Sequence, residues 1–384
     1  MRIDIAVHGR FHAFDLAREL TAGGASVSLA TTYPASLAQR WLPKTVALRT
    51  ATHLELLRRA AAIFPFIPVT DFGIASRFGR FVARRLPAAA DIFVGWSSAS
   101  LEAIDVARSR GMRVVIERGS THIAHQAKVL DEEYARYGRR EHAIDPRMVA
   151  RELAEYEAAD AIMVPTRFAA RTFTERGFDP QKVIVNPYGV DLRPYAALRA
   201  VPDRENRIRV LFVGSVGLRK GIPALAQAFH RLDTRYELHL VGPVDTALNP
   251  VLEALPRDRV FMHGPLRGSA LVARFGAADI FCLPSLEEGL SLALLQAMAA
   301  GLPVVATAET GAEDVVTNGR DGFLVPIRDP DSLAAALLSL GEPDRRMEMG
   351  QAARDRVSAS FSWPEYGARA FTTYRSLLAS KAAN

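Results

Sequence analysis

Apolar residues fall along this chain in short unbroken runs, separated by longer stretches with helical spacing. The run Ile3–Val7 is followed by a helical pattern over Ala13–Ala22, closed by Gly23 and Gly24, and by a second run, Val27–Ala30. Further on come Ile92–Gly95, a helix Ser100–Ser109, and runs Arg113–Glu117 and Ala161–Val164; helix Arg167–Arg176 then leads through Gly177 to Lys182–Asn186. Short apolar runs of this kind read as strands buried on both faces. Their alternation with helices predicts a parallel, doubly wound sheet. The polar stretch Val201–Arg207 reads as a linker. The same rhythm then restarts with strands Ile208–Val213, Tyr236–Val241, Arg259–His263, Asp279–Leu283 and Pro303–Ala306. Helices Ile222–Leu232, Leu290–Ala300 and Asp331–Leu340 alternate with them. A chain of 384 residues exceeds one ordinary core and suits two domains. We place them at 1–200 and 201–360, both of class α/β.

One stretch, Pro284 to Gly301 (PSLEEGLSLALLQAMAAG), carries the sharpest chemical signal. A buried strand ends there in a polar turn with Glu287, Glu288 and Gly289, and a helix rich in Leu, Ala and Met follows. Gly301 suits the position that closes that helix. Carboxylates thus sit at the C-terminal end of a strand, against a helix N-terminus. Ligands of open α/β sheets bind there, and unpaired helix-start N–H groups favour phosphate. Gln296 lies five residues beyond Ser291, about 7–8 Å along the axis. One helix can therefore meet a diphosphate at Ser291 and Leu292 and a ribose at Gln296. An ordinary strand–turn–helix with solvated acids is the competing reading.

These residues resemble the signature of family 4 of the retaining glycosyltransferases, nucleotide-sugar enzymes of the GT-B fold. That pattern runs Glu, seven residues, Glu, then Ala-Met-Ala and Gly-x-Pro-Val. Here it reads Glu288, seven residues, Gln296, then Ala297-Met298-Ala299 and Gly301-Leu302-Pro303-Val304. The second acid is a glutamine. The resemblance is strong from about Tyr156 onward and thinner over residues 1–150. It implies two Rossmann-like domains facing a central cleft. It also implies that residues 361–384, from Phe361-Ser362-Trp363, form a helix crossing back to the first domain.

The resemblance assigns roles to several other loops. In Gly214-Ser215-Val216-Gly217-Leu218-Arg219-Lys220-Gly221, Lys220 matches a lysine that neutralises the donor diphosphate. Ser215 replaces the usual arginine, and Arg219 supplies a second cation beside the lysine. The loop lacks the spacing of a P-loop. His8-Gly9-Arg10 follows the first strand; by the resemblance this loop, with Gly9 and Arg10, faces the diphosphate and acceptor across the cleft, and a plain turn without a role is the alternative. His122, in Glu117-Arg118-Gly119-Ser120-Thr121-His122, matches a histidine beside the donor sugar and is preferred to His125; a loop histidine without a role is the alternative. Thr310 and Gly311 are expected near the diphosphate, with Glu313 capping a helix. The base is expected against backbone groups of Gly242–Val244 and His263–Leu266, Leu266 included. Asn186-Pro187-Tyr188-Gly189-Val190-Asp191 matches a junction segment whose value is structural.

Composition narrows the remaining classes. Hydrophobic content of 49% with 23% charged residues is that of a globular protein, and no apolar run reaches the length of a membrane span. MRIDIAVHGR has no apolar core of a signal peptide behind its charge. The single cysteine, Cys282, lies in a buried strand and reads as inert. These features suit the cytoplasm. No His/Cys cluster supports a metal, and Asp329-Pro330-Asp331 reads as a helix start, so no metal and no cofactor are expected. Residues 1–195 hold 27 Lys+Arg against 21 Asp+Glu and the rest 21 of each, so the whole net charge of +6 belongs to the first half. Without a nucleic-acid motif, an anionic acceptor or membrane surface fits better than nucleic acid. Between Arg58 and Arg85, basic residues interleave with Ile63, Phe64, Phe66, Ile67 and Phe72; Arg77, Arg80 and Arg84 recur beside a stripe Ile74-Phe78-Phe81-Val82. A helix of this kind suits an anionic membrane at the inner face, or a core with a solvated basic side.

The expected activity is transfer of a hexosyl unit, with retention, from a UDP- or GDP-linked sugar to a hydroxyl of a saccharide or lipid-linked acceptor. Surface polysaccharide or glycolipid assembly is the expected setting. Lys220, Arg219, Glu288 and His122 are the expected catalytic residues. Gly9, Arg10, Gly214, Ser215, Gly289, Ser291, Leu292, Gln296, Leu266, Thr310 and Gly311 are expected to bind the donor. A GT-B nucleotide-sugar 2-epimerase and a non-catalytic nucleotide-sugar-binding protein are the alternatives.

Overall fold

The computed structural model describes residues 1–64, 69–139, 141–198 and 207–382. Phe66 and Ile67 fall outside them, as do the expected boundary at 200/201 and, but for Arg207, the expected linker. Thirteen parallel strands among these residues form two sheets. The first contains β1 (Arg2–Val7), β2 (Ser26–Thr31), β3 (Ala47–Thr50), β4 (Ile92–Trp96), β5 (Arg113–Glu117), β6 (Ala161–Val164) and β7 (Val183–Val185), in the order β3-β2-β1-β4-β5-β6-β7. The second contains β8 (Ile208–Val213), β9 (Tyr236–Val241), β10 (Val260–Gly264), β11 (Ile280–Leu283), β12 (Val304–Thr307) and β13 (Gly322–Val325), in the order β10-β9-β8-β11-β12-β13.

Each central strand is buried along nearly its whole length, which is why its sequence is a plain apolar run. Ile3, Ile5 and Val7 of β1 face one core cluster while Ala6 faces another on the opposite side of the sheet. In β11 the Cys282 thiol is fully enclosed, and burial pushes its pKa up. It is a packing residue.

Both sheets reverse strand order about their first strand. β1 lies between β2 and β4, and β8 between β9 and β11. Chains running out of β1 and β4, or out of β8 and β11, therefore leave in divergent directions and open a crevice at the strands' C-terminal ends. The expected two doubly wound units are present.

A final helix, Trp363–Ala382, returns to the first unit and packs on helix Ala13–Ala22. Polar contacts fix its register. Arg113 Nε donates to the Leu377 carbonyl (3.2 Å), Asn186 Nδ2 to the Tyr366 carbonyl (3.3 Å), and Arg369 Nη2 to the Pro187 carbonyl (2.7 Å). The junction segment from Asn186 thus forms part of the seat for the returning helix.

Candidate functional site

The crevice of the second unit is built by two turns that touch. The turn after β8 passes through Leu218–Lys220 to Gly221, which adopts φ +66°. A side chain at Gly221 would place its Cβ 1.8 Å from the Pro284 carbonyl oxygen, so only glycine permits this approach. Leu286 N–H donates to the Arg219 carbonyl (2.9 Å), tying that turn to the one after β11. The result brings Lys220, Arg219 and Glu288 together. Lys220 Nζ donates to Glu288 Oε1, and Arg219 Nη2 lies 3.5 Å from Glu288 Oε2.

Glu287, the neighbouring acid, is wholly buried and points across the crevice into the first unit. Its Oε1 accepts from Ser120 Oγ (2.5 Å), Thr121 N (3.0 Å) and Thr121 Oγ1 (2.6 Å). Its Oε2 accepts from Gln126 Nε2 (2.8 Å) and lies 3.1 Å from Arg219 Nη2. Burial alone would raise the pKa of such a carboxyl, yet the Arg219 charge and the bonds from Ser120 and Thr121 draw it down to about 2. Behind Gln126 stands Arg118, also buried, whose Nη2 donates to Gln126 Oε1 (2.8 Å) and whose Nη1 pairs with Glu152 (2.8 Å). Charge alternates along this path: Glu152, Arg118, Glu287, Arg219, Glu288, Lys220.

The remaining expected residues are placed as follows. Helix Leu292–Ala299 begins two residues later than its composition suggests, because Ser291 is still extended (ψ 119°) and takes the N-cap position. The Ser291 side chain makes no capping bond, Leu292 is exposed, and Gln296 lies half-buried one turn on. Gly289 lies against the first unit: a Cβ there would come 2.4 Å from the Gly119 carbonyl oxygen. Gly311 abuts Gly289 and Thr166, and the Thr310 hydroxyl donates to the Thr307 carbonyl (2.6 Å). Gly214 N–H donates to the Val241 carbonyl (2.9 Å), Ser215 is exposed and Leu266 half-buried. Across the crevice, Gly9 N–H donates to Thr32 Oγ1 (2.9 Å), and the Arg10 guanidinium covers the Trp41 ring at 3.6 Å.

His122 is not brought to this cluster. Its Nδ1 accepts from Ala124 N–H (3.2 Å) at the start of helix Ile123–Arg136, and its ring is enclosed by Tyr156, Phe173 and Phe178. Burial, then the Arg176 and Arg118 charges, lowers its pKa to about 3. The imidazole is neutral, and its Nε2 is buried without a partner. A role beside the donor sugar, expected from the sequence, does not fit this position. His125 is only partly buried, and burial, then the Arg176 charge, lowers its pKa.

The stripe Ile74-Phe78-Val82 of helix Asp71–Arg85 packs into the first unit's core, so it is not a lipid-facing surface. Arg77, Arg80 and Arg84 form its solvated side. Exposed apolar residues lie instead on helix Thr52–Ile63 and just beyond it, at Leu56, Ile63 and Phe64.

Sequence reasoning named Glu287 only as part of a polar turn and assigned nothing to Arg118, Ser120, Thr121 or Gln126. Among the described residues no group of three or more His, Cys, Asp or Glu could hold a metal ion, and Asp329 caps helix Pro330–Ser339 by accepting from Ser332 N–H (2.9 Å).

Comparison with known proteins places this geometry in context. The family glycosyl transferases group 1 matches residues 207–342. D-inositol 3-phosphate glycosyltransferase of Xylanimonas cellulosilytica is 32% identical over 237 residues, covering 56% of this chain and 57% of that protein. The chain thus spans little more than half the length of that curated relative. Sucrose-phosphate synthase from Thermosynechococcus elongatus superposes with a TM-score of 0.74 at 21% identity, over 99% of this chain and 100% of the other. Anabaena HepE, solved in complex with UDP-glucose, superposes with a TM-score of 0.68 at 15% identity, over 99% and 100%. The fold is GT-B.

Proposed function

We propose, from the match of residues 207–342 to the glycosyl transferases group 1 family, that the chain transfers a hexosyl unit from a nucleoside-diphosphate sugar to a hydroxyl acceptor, with retention. The observation that carries this reading is the meeting of Lys220, Arg219 and Glu288 at the strand ends of a GT-B crevice, beside the start of helix Leu292–Ala299. Cations and helix N–H groups there suit a diphosphate leaving group, whose charge grows as its bond breaks.

In this mechanism the bond from the anomeric carbon to the diphosphate oxygen breaks and its electron pair leaves with phosphate. Lys220, Arg219 and the helix start around Ser291 and Leu292 stabilise that charge. Glu288 orients the sugar through its hydroxyls, and Gln296 holds the ribose. The acceptor oxygen then bonds to the anomeric carbon from the face the diphosphate left, and a phosphate oxygen takes its proton. No metal and no further cofactor enters this scheme.

The donor is proposed to be UDP- or GDP-linked; HepE's complex with UDP-glucose favours uridine. The acceptor is proposed to be a saccharide or lipid-linked saccharide, in surface polysaccharide or glycolipid assembly at the cytoplasmic face of a membrane. The exposed Leu56, Ile63 and Phe64, close in sequence to Arg58 and Arg59, support peripheral contact with anionic lipid. Among the described residues no helix is long and apolar enough to cross a membrane.

Thermal shift with UDP, GDP and ADP tests the donor class: a hundredfold excess over Kd should add about 2.7 kcal/mol of stability. Product analysis with UDP-glucose, with and without acceptor sugars, separates transfer from 2-epimerisation. Stabilisation by no nucleoside diphosphate overturns the reading.

A further inference from the structure

We propose that Glu287 is a positioning residue that latches the two units closed and holds Arg219 at the crevice. The signature resemblance begins at Glu288 and gives Glu287 no role. Yet Glu287 is the more buried of the two, at 0% against 8% exposure. Four of its hydrogen-bond donors, Ser120 Oγ, Thr121 N, Thr121 Oγ1 and Gln126 Nε2, belong to the other unit, and the fifth group, the Arg219 guanidinium, belongs to its own. A fully buried carboxylate is tolerable only with such a set of partners. Parting the units would strip four of the five at once.

The surroundings are shaped for this one contact. Arg118 fixes the Gln126 amide, so that Oε1 faces the guanidinium and Nε2 faces Glu287. Ser120 Oγ accepts from Gln126 Nε2 (3.2 Å) and lies 3.4 Å from Arg219 Nη2, so both units converge on the same hydroxyl. Gly289 removes the side chain that would hold Gly119 and Ser120 away. Among the described residues the other charge pairs between the units are Arg139–Asp245, Arg167–Asp314 and Arg171–Glu313, each with a partner at least 30% exposed and individually weak, and the part-buried Arg328–Glu133, which joins a single pair of side chains where Glu287 gathers five donors. Closure and the placing of Arg219 thus depend on the same carboxylate. The consequence for catalysis rests on the function proposed above; the latch itself does not.

The test uses the full chain with two introduced cysteines, Arg136→Cys and Gln227→Cys, which line one cavity of about 310 Å³ between the units. Cys282 is buried and leaves spin labels to those two sites. Pulsed electron spin resonance should give one short distance population in this background. Glu287→Gln keeps shape but turns an amide N–H toward Gln126 and Arg219, and should add a longer population. Gln126→Ala, made from the other unit, should do the same, and the double variant should add little to either alone. Unchanged distances in both single variants overturn the proposal. With UDP-glucose as donor, Glu287→Gln should lower kcat about tenfold while KM stays within about twofold; a lower Tm with unchanged kcat and distances reduces Glu287 to a structural residue. If the unmodified chain turns over no donor, the function reading falls, and the distance measurement still decides the latch.

Discussion

Lys220 Nζ and Glu288 Oε1 are joined directly, the lysine donating to the carboxylate at the lip of the second sheet's crevice. One residue comes from the turn after β8 and the other from the turn after β11, and the Gly221–Pro284 approach sets their separation. An incoming diphosphate would take the lysine's hydrogen bonds and release Glu288 to sugar hydroxyls, so the two proposed roles are linked. Lys220→Ala should therefore reduce transfer by about 10²–10³ with the fold retained. Near-unchanged turnover at saturating donor would remove Lys220 from the mechanism.

His122 should matter to stability in acid and not to turnover. His122→Phe loses the Ala124 cap bond, a cost of about 1 kcal/mol, but also removes a buried nitrogen that has no partner, an offset of about 1–3 kcal/mol. Stability near pH 7 should change little. Acid behaviour should change more. A histidine held at a pKa of about 3 binds fewer protons folded than unfolded, so its contribution falls as pH drops from the ordinary histidine range toward 3. Urea midpoints of the Phe variant should fall less steeply over that window. A turnover loss beyond tenfold would restore His122 to the site.

The contrast between Lys220 and His122 shows what the sequence could carry. Central strands were legible because burial on both faces leaves an unbroken apolar run, as in Ile92–Trp96 and Ile280–Leu283. Two edge strands were not read: β3 (ALRT) is nowhere fully buried, and β13 (GFLV) is short with two half-exposed positions. Lys220 and Glu288 could be singled out because each lies in a contiguous motif that the family resemblance covers, and the structure places their side chains together. The partners of Glu287 in the first unit lie more than 160 residues away, so no local pattern announces them. For His122, a loop position after a strand does not tell which way the ring turns. Phe173 and Phe178, fifty residues on, settle that.

Chelation should leave activity intact. The proposed neutralising groups are Lys220, Arg219 and a helix start, none of which needs a divalent ion. Assays in excess EDTA should match untreated enzyme. Loss that Mg²⁺ or Mn²⁺ restores would replace this electrostatic scheme with a metal-assisted one.

Membrane contact should depend on both charge and apolar exposure. Leu56, Ile63 and Phe64 are exposed on the unit that holds the whole net charge. Co-sedimentation with anionic vesicles should exceed that with neutral ones at low salt, and weaken as the screening length falls to about 8 Å at physiological ionic strength. Ile63→Glu should reduce it further. Equal recovery with both vesicle types would leave these residues as plain surface.

Gln296 offers the sharpest test of how the donor lies along the signature helix. It sits one turn beyond Leu292, half-buried, where the resembling family carries a carboxylate. A carboxylate accepts from both ribose hydroxyls, whereas an amide brings one acceptor oxygen and two donor hydrogens. Glutamine can thus hold the ribose, with one contact reversed and without the added strength of an ionised acceptor. Gln296→Ala should raise donor KM with a smaller effect on kcat, the pattern of binding lost equally from ground and transition states. Gln296→Glu should be tolerated and tighten donor binding. Steady-state kinetics over a donor series reads both. If neither substitution moves donor KM, the ribose lies elsewhere and only the helix start can face the donor. If Gln296→Glu creates activity in a chain otherwise inactive, the natural protein binds nucleotide sugar without transferring it.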